Sequence, residues 1–211
     1  AYLSWSESAA IPLAGVTAWR ALFTQGQLKS EETVLITGIG GGVASFALQF
    51  ACAAGARVFV TSSCAKKIAR AQDLGAIDGF DYQDVSWTNA LKRASTRPDL
   101  IIDGAGGLGF SCLVDVAAPG GRIVNYGATD GPADKLDLFK IFWKQLQLRG
   151  STMGSPADFD AMLDFVKQHR IHPIIDATFP MSEGNEALAK MGHSSQFGKY
   201  ILIPNGEYTQ Q

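Results

Sequence analysis

The stretch ITGIGGGVAS, residues 36–45, is the feature that most limits how this chain can fold. It places four glycines within five positions, inside a run from Thr33 to Ala56 that contains no charged residue. Three structures fit such a run: a turn that binds phosphate groups, a membrane-spanning helix, and a flexible loop. The sequence on either side of the glycines decides between them.

A membrane span is disfavoured because of the glycines themselves. The uncharged run is long enough for a transmembrane helix, but each central glycine would destabilise a helix by about 1 kcal/mol relative to alanine. The flanking residues instead predict a strand at 34–37 and a helix at 43–54, where apolar residues recur at helical spacing. A strand, a glycine turn and a helix in that order favour a pyrophosphate site at the helix N-terminus.

Short apolar strands alternate with helices along the first 150 residues, which predicts an α/β fold. Continuous apolar runs are typical of parallel strands covered on both faces. The predicted strands are 34–37, 58–61, 100–103, 123–126 and 146–150, and the predicted helices are 43–54, 66–74, 84–94 and 109–118. We therefore expect a Rossmann-type, doubly wound parallel sheet with an N-terminal connecting helix over residues 1–154.

The regular alternation of strands and helices ends beyond Gly150, where we place an organisational boundary. A helix at 156–170, a second helix at 182–192 capped by Ser182, and a strand at 199–203 are predicted there. Residues 155–211 are therefore expected to form a C-terminal helical and strand appendage.

The spacing of the glycines departs from G-x-G-x-x-G, since Val43 follows Gly40 by three positions. It fits G-x-x-G-x-x-A instead, with Gly38, Gly41 and Ala44, because alanine still permits close packing of helix against strand. Gly40 and Gly42 would then give the phosphates added clearance, and some turn positions would need a positive φ.

The end of the second predicted strand favours NADP(H) over NAD(H). An NAD-binding domain usually offers an acid to the ribose 2′-hydroxyl there, but no acidic residue occurs between Thr33 and Gln72. The hydroxyls of Ser62 and Ser63 and the ammonium groups of the lysine pair 66–67 suit a 2′-phosphate. The alternative is that the two lysines form only a solvated helix face.

Composition excludes several other classes. A net charge of −2 gives no field that would attract nucleic acid. Cys52, Cys64 and Cys112 form no CxxC pair, which argues against a disulfide scaffold and a structural zinc site and favours a reducing, cytoplasmic location. The three histidines form no metal-ligand pattern, so no metal site is predicted, and no residue is assigned a catalytic role.

Five segments, in the right order and spacing, carry a family resemblance. They are IPLAGVTAWRAL at 11–22, GIGGGVA at 38–44, TSSCAKK at 61–67, GGRIVNYGAT at 120–129 and FGKYIL at 197–202. Together they resemble the medium-chain dehydrogenase/reductase superfamily, in particular its zinc-independent, quinone-oxidoreductase-like branch. The resemblance implies an NADP(H)-dependent oxidoreductase that transfers a hydride from NADPH to an activated C=C bond or a quinone of a small-molecule substrate.

The resemblance also implies a cofactor site built from several loops. It assigns Thr17 and two later loops to the nicotinamide end, the glycine turn to the pyrophosphate, and the region after the second strand to the adenosine phosphate. A segment near the C-terminus closes over the nicotinamide. For Tyr82, an ordinary half-buried tyrosine is the equal alternative. The implied cofactor-binding residues are Thr17, Gly38, Gly40, Gly41, Gly42, Val43, Ser62, Ser63, Lys67, Tyr82, Gly104, Ala105, Tyr126, Gly127, Ala128, Met153, Phe197 and Lys199.

Members of this superfamily carry a β-rich catalytic domain ahead of the point where this chain begins. The chain is therefore expected to supply only the cofactor-binding part, with residues 155–203 packing partly on the missing domain. Apolar surface meant for that domain would be exposed or used for self-association, and the resemblance implies a homodimer through an edge strand at 146–150.

The alternative function is an isolated NADPH-binding module without turnover. Two enzyme classes are disfavoured. A short-chain dehydrogenase would need Tyr-x-x-x-Lys, which this sequence lacks, and a methyltransferase commonly has an acid at the end of its second strand, where this sequence has none.

Overall fold

The computed structural model describes residues 2–93 and 97–204, and a six-stranded parallel sheet lies at its centre. The strand order is β3-β2-β1-β4-β5-β6, which confirms the predicted doubly wound α/β fold. The strands are β1 (Thr33–Ile36), β2 (Arg57–Ser62), β3 (Asp78–Asp81), β4 (Leu100–Asp103), β5 (Arg122–Asn125) and β6 (Gln147–Gly150).

Helices cover both faces of this sheet. Three segments precede β1: α1 (Trp5–Ala10), α2 (Pro12–Trp19) and a π-helical segment (Arg20–Gln25). The helices between strands are α3 (Gly42–Ala53), α4 (Ala65–Asp73), α5 (Trp87–Arg93), α6 (Phe110–Val116) and α7 (Leu138–Trp143). The last residue predicted for α5 lies outside the described residues. No helix in the described part of the chain is both long and apolar enough to cross a membrane.

The central strands are buried on both faces, as their continuous apolar sequences predict. In β1, Val34 and Ile36 pack into the core beneath α3, whereas Leu35 points to the opposite face and packs against residues of α5 and α6. Because successive side chains of a strand alternate between faces, each central strand contributes to both cores.

Beyond β6 the chain forms α8 (Pro156–Gln168), β7 (Ile175–Pro180), α9 (Gly184–Gly192) and β8 (Lys199–Ile203). β7 and β8 pair in parallel as a separate two-stranded sheet. α8 packs on α2: a Cβ at Gly15 would lie 2.7 Å from the Met162 Sδ atom, so a larger residue there would force the Met162 side chain to move. Met162 and Val166 belong to the same buried core as the first strands.

The sequence did not predict β3, β7 or α7. β3 has the sequence DGFD, in which only Phe80 is buried, so its pairing with β2 rather than its own composition makes it a strand. β7 ends in a proline at the edge of a two-stranded sheet. The predicted cap at Ser182 is wrong: this residue lies in the 3-10 turn Met181–Glu183, and α9 begins two residues later with Glu183 at its N-cap.

A buried carboxylate fixes α8 to the N-terminal helices. Asp158 accepts hydrogen bonds from Arg20 Nη1 at 2.6 Å and from Thr24 Oγ1 at 2.5 Å, and it completes a capping box with Ser155. Burial alone would raise the pKa of Asp158, but the hydrogen bonds from Thr24, Ser155 and Arg20 outweigh it and hold the pKa far below the usual range.

We expect Asp158→Asn to lower the free energy of unfolding by about 2 kcal/mol at pH 7, because the Arg20 charge loses its buried partner. The pKa of folded Asp158 is depressed, so its contribution is complete well above the unfolded value of about 3.9 and is lost as the pH falls below it. Urea unfolding at several pH values should therefore show the wild type and the variant converging towards pH 3. A difference that stays constant with pH would contradict this account.

Candidate dinucleotide-binding site

The site lies where the strand order reverses, at the carboxyl ends of β1 and β4. Asp103, the last residue of β4, is 2% exposed. Its Oδ1 accepts hydrogen bonds from Thr37 Oγ1 at 2.7 Å and from the Ala105 N–H at 3.4 Å, and its Oδ2 accepts them from the Gly106 N–H at 3.0 Å and Asn125 Nδ2 at 2.9 Å. One carboxylate therefore ties together the ends of β1, β4 and β5.

The glycine turn leaves β1 directly after Thr37. Gly38 and Gly40 have φ values of +62° and +117°, which confirms that two turn positions need a positive φ. The Ile39 N–H donates to the Thr61 carbonyl at 2.8 Å, which holds the turn against the end of β2. Gly41 then caps α3, so the helix N-terminus opens at the turn as predicted.

The space over this turn fits a pyrophosphate. A Cβ at Gly38 would meet nothing within 4 Å, and a Cβ at Gly41 would meet only the Gly38 carbonyl oxygen, at 3.8 Å. Gly41 also has an ordinary φ of −68°. Neither backbone conformation nor protein packing requires glycine at position 41, so its missing side chain leaves open the space beside the first N–H groups of α3, where Val43 follows.

Two lysines approach the other glycines. A Cβ at Gly40 would lie 2.9 Å from Lys67 Cδ, and a Cβ at Gly42 would lie 2.7 Å from Lys199 Cδ. Lys67 comes from α4 and Lys199 from β8, so cations from two distant parts of the chain converge on the turn. The sequence analysis predicted that the space left by Gly40 and Gly42 would accommodate phosphates. In the structure the side chains of Lys67 and Lys199 occupy that space.

The residues predicted to bind the adenosine phosphate lie at the carboxyl ends of β2 and β3 and at the start of α4. Ser62 is buried and its Oγ accepts a hydrogen bond from the Cys64 N–H at 3.2 Å, whereas Ser63 is exposed. Tyr82 follows β3, is 49% exposed, and donates its backbone N–H to the Ser62 carbonyl at 3.3 Å. The Oδ1 atom of the neighbouring Asp81 accepts a hydrogen bond from the Gln83 N–H at 2.9 Å.

The loops after β4 and β5 are joined at the predicted nicotinamide side. The Tyr126 ring lies on Gly104, where a Cβ would be 2.5 Å from the ring, and a Cβ at Gly127 would be 2.9 Å from the Gly104 carbonyl oxygen. The Asp130 N–H donates to the Ala105 carbonyl at 2.9 Å, and Ala128 lies in the same loop. Burial, reinforced by the nearby Asp103 carboxylate, raises the pKa of the Tyr126 phenol far above its usual value, so it stays protonated.

For three residues predicted at the nicotinamide end, Thr17, Met153 and Phe197, the structure shows contacts or backbone conformations that the sequence did not predict. The Thr17 hydroxyl donates to the Leu13 carbonyl within α2, at 2.8 Å. Met153 follows β6 with a φ of +47° and is half-exposed. The Phe197 ring is 3% exposed and packs in the core, so its segment faces the glycine turn through backbone groups.

Sequence reasoning missed Asp103, Thr37 and Asn125, although Thr37 and Asp103 end predicted strands and Asn125 stands one residue before the end of another. Polar residues at the carboxyl ends of neighbouring parallel strands were the available signal.

A groove of roughly 410 Å³ lies one strand beyond the switch point, between the loop after β5 and edge strand β6. It shares Gly106, Gly127, Ala128 and Gly131 with the loops predicted to lie at the nicotinamide, and its apolar wall includes Phe110, Leu136 and Leu148. The groove therefore adjoins the predicted nicotinamide side of the dinucleotide crevice. Within residues 2–93 and 97–204, no three His, Cys, Asp or Glu side chains are grouped as a metal site would require.

The fold and the glycine turn define a dinucleotide-binding domain of the doubly wound class. Residues 42–168 match the family described as zinc-binding dehydrogenase. The chain belongs to the medium-chain dehydrogenase/reductase superfamily of oxidoreductases, which confirms the resemblance seen in the sequence.

Two relatives illustrate this membership. The zinc-type alcohol dehydrogenase-like protein YogA of Leptosphaeria maculans is 38% identical over 95% of this chain. A chloroplast envelope quinone oxidoreductase homologue of Arabidopsis thaliana is 28% identical over 94% of it. The chain spans 59% and 62% of the lengths of these relatives.

Solved structures superpose closely. An NAD-dependent alcohol dehydrogenase gives a TM-score of 0.89 at 32% identity, with 95% of this chain and 59% of that chain covered. The 2-octenoyl-CoA carboxylase reductase CinF, in complex with NADP and 2-octenoyl-CoA, gives 0.90 at 26% identity, with coverages of 99% and 52%. The two neighbours therefore differ in the dinucleotide that their descriptions name.

We expect Gly41→Asp to fold normally and to lose dinucleotide binding. Aspartate is a favoured N-cap with a charge that suits a helix N-terminus, whereas its carboxylate would occupy and repel the pyrophosphate position. Fluorescence titration should show NADPH and NADH affinities lowered by more than about tenfold, with an unchanged or higher melting temperature.

Gly41→Asn is the matched control for Gly41→Asp, since it adds the same bulk without the charge. Its affinity should lie between those of the wild type and Gly41→Asp. Wild-type affinity in both variants would show that the pyrophosphate binds elsewhere.

Proposed function

We propose that this chain is the cofactor-binding part of an NADP(H)-dependent oxidoreductase of the quinone or enone reductase type. The observation that carries the choice of cofactor is the polar set after β2. Ser62 and Ser63 stand at the end of β2, Lys67 lies in the first turn of α4, and Tyr82 follows β3, where its N–H binds the Ser62 carbonyl. The carboxylate of the adjacent Asp81 accepts the Gln83 N–H of its own turn. A phosphate would find donors and a positive charge at this end of the sheet.

Each part of the site would have its own role. The glycine turn and the first N–H groups of α3 bind the pyrophosphate. The joined loops 104–107 and 126–131 orient the nicotinamide, with Tyr126 as a protonated phenol at that side. A bound nicotinamide dinucleotide supplies the hydride. No residue of this chain is assigned as an acid or base.

The substrate class rests on the relatives. One relative is described as a quinone oxidoreductase homologue, and one structural neighbour is described with an α,β-unsaturated acyl-CoA. A small molecule with an activated C=C bond or a quinone ring therefore fits best. A cytoplasmic location remains a prediction from the three free cysteines.

The alternative is an NADPH-binding module without turnover, and the observation in its favour is that the chain spans only 59% of the length of the first relative. Mixing the chain with NADPH and a quinone separates the two. Consumption of NADPH above the blank supports the reductase, whereas blue-shifted NADPH fluorescence without consumption supports the binding module. No binding of NADPH or NADH would contradict both.

Lys67→Ala tests the 2′-phosphate assignment. We expect NADPH affinity to fall about tenfold, since a charge-assisted hydrogen bond is lost, and NADH affinity to stay within about twofold of the wild type. Isothermal titration with both dinucleotides measures this.

The matched control for Lys67→Ala is Lys29→Ala, which removes an exposed lysine at the amino-terminal edge of the sheet, ahead of β1. It should change neither affinity. A wild-type chain that binds NADH as tightly as NADPH, with no effect of Lys67→Ala, would show the assignment to be wrong.

We also propose that the chain forms a homodimer through the edge of the sheet at β6. β6 is the terminal strand of the described sheet and pairs with β5 alone. α7, which precedes it, buries none of its residues and exposes an apolar surface. That surface consists of Leu138, Phe139, Phe142 and Trp143, exposed by 70, 60, 62 and 73%. An apolar patch of this kind typically marks an interface.

Trp143→Glu should convert the dimer to a monomer, because it places a charge at the centre of the proposed interface. Light scattering across a concentration series measures the mass. Leu188→Glu is the matched control, since Leu188 is 65% exposed on α9 and lies outside the proposed interface. A wild-type chain that is monomeric at every concentration, or a Trp143→Glu variant that remains dimeric, would contradict the proposal.

A further inference from the structure

A C-terminal strap, residues 194–199, crosses the glycine turn. The Gly198 N–H donates to the Gly40 carbonyl at 2.9 Å. The strap also approaches Gly40 at Gln196, because a Cβ at Gly40 would be 3.0 Å from the Gln196 carbonyl oxygen. The strap is therefore part of the wall of the dinucleotide site, although more than 150 residues separate it from the turn.

Two side chains of α4, one helical turn apart, hold the strap. Lys67 Nζ donates to the Ser194 carbonyl at 2.6 Å. The Arg70 guanidinium lies 4.7 Å from the centre of the Phe197 ring and 3.6 Å from Asp176, whose Oδ1 accepts the Phe197 N–H at 3.2 Å. Arg70 thus fixes the buried part of the strap, whereas Lys67 contacts its exposed end.

Building on the proposed NADP(H) specificity, we propose that Ser194 is a positioning residue for the 2′-phosphate site, whose carbonyl holds the Lys67 ammonium over Gly40. An ammonium has three N–H donors, so one hydrogen bond to Ser194 leaves two for a phosphate. The lysine stem is long and flexible, and its charge is useful at a fixed place only if something restrains it. The strap supplies that restraint from outside the sheet.

The backbone of Ser194, rather than its hydroxyl, does this. Ser194 has a φ of +50° and an exposed side chain. The left-handed region is open to glycine, uncommon for serine and strongly disfavoured for β-branched residues. The direction of the Ser194 carbonyl therefore depends on a conformation that a single substitution can disturb without adding bulk to the interior.

Ser194→Val tests the inference in the full 211-residue chain. The β-branched side chain disfavours the positive φ and should turn the carbonyl away from Lys67. We expect the preference for NADPH over NADH, from dissociation constants measured by fluorescence titration, to fall about three- to tenfold, the range expected for one lost hydrogen bond. NADH affinity should stay within about twofold, which also reports that the site is folded.

Two controls isolate the backbone. Ser194→Gly permits the same φ and should retain the wild-type preference. Ser195→Val places the same side chain at the exposed neighbour, which lies outside the left-handed region, and should also leave the preference unchanged. In a Lys67→Ala background, Ser194→Val should have no further effect on NADPH binding, because the group that it positions is gone.

Three results would overturn the inference alone: an unchanged preference in Ser194→Val, an equal loss of NADPH and NADH affinity, or an effect that persists without Lys67. A wild-type chain with no preference for NADPH would instead overturn the proposed cofactor specificity, and this inference with it. The two failures are therefore distinguishable in one set of titrations.

Discussion

The buried Asp103 carboxylate is the interaction on which the geometry of the site depends. A carboxylate without water is costly unless its oxygens accept hydrogen bonds, and the four donors around Asp103 satisfy both oxygens. Those donors come from three strand ends. Thr37 precedes the glycine turn, the Ala105 and Gly106 amides belong to the loop after β4, and Asn125 is the last residue of β5. Moving any one of these loops would leave a buried charge or donor unpaired, so the loops are fixed relative to one another.

The four glycines of the turn are accounted for by different structural features. Gly38 is needed for its backbone conformation, since open space surrounds it. At Gly41 neither the backbone nor protein packing requires glycine, since its φ suits any residue and a Cβ would meet only the Gly38 carbonyl oxygen. Gly40 combines a positive φ with contact to Lys67 and the strap, while Gly42 accommodates Lys199. A pattern of glycines in a sequence shows that a turn is constrained; only the contacts show which constraint applies at each position.

The sequence predicted the elements whose stability is local or follows from burial on both faces. β1, β2, β4, β5 and the helices α3 and α4 carry apolar runs and glycine stops that specify them, and Lys199–Ile203 was predicted to the residue. β3 could not be predicted because DGFD becomes a strand only by pairing with β2. The capping role of Ser182 failed because a 3-10 turn moved the helix start past it. In the site, single residues were found, but the contacts between Lys67 and Ser194, and between Thr37 and Asp103, join positions far apart in sequence.

The segment after residue 154 contributes to the candidate dinucleotide site, as the sheet does. At one end, Asp158 binds α8 to Arg20 and Thr24, and Met162 packs on Gly15 in the main core. At the other end, Lys199 and Gly198 lie on the glycine turn. The α8 contacts therefore anchor the appendage so that β8 can present a cation to a turn formed more than 150 residues earlier. A boundary at residue 154, where the alternation of strands and helices ends, separates the α/β repeats from the rest of the chain. Lysines from both sides of that boundary, Lys67 and Lys199, nevertheless approach the glycine turn.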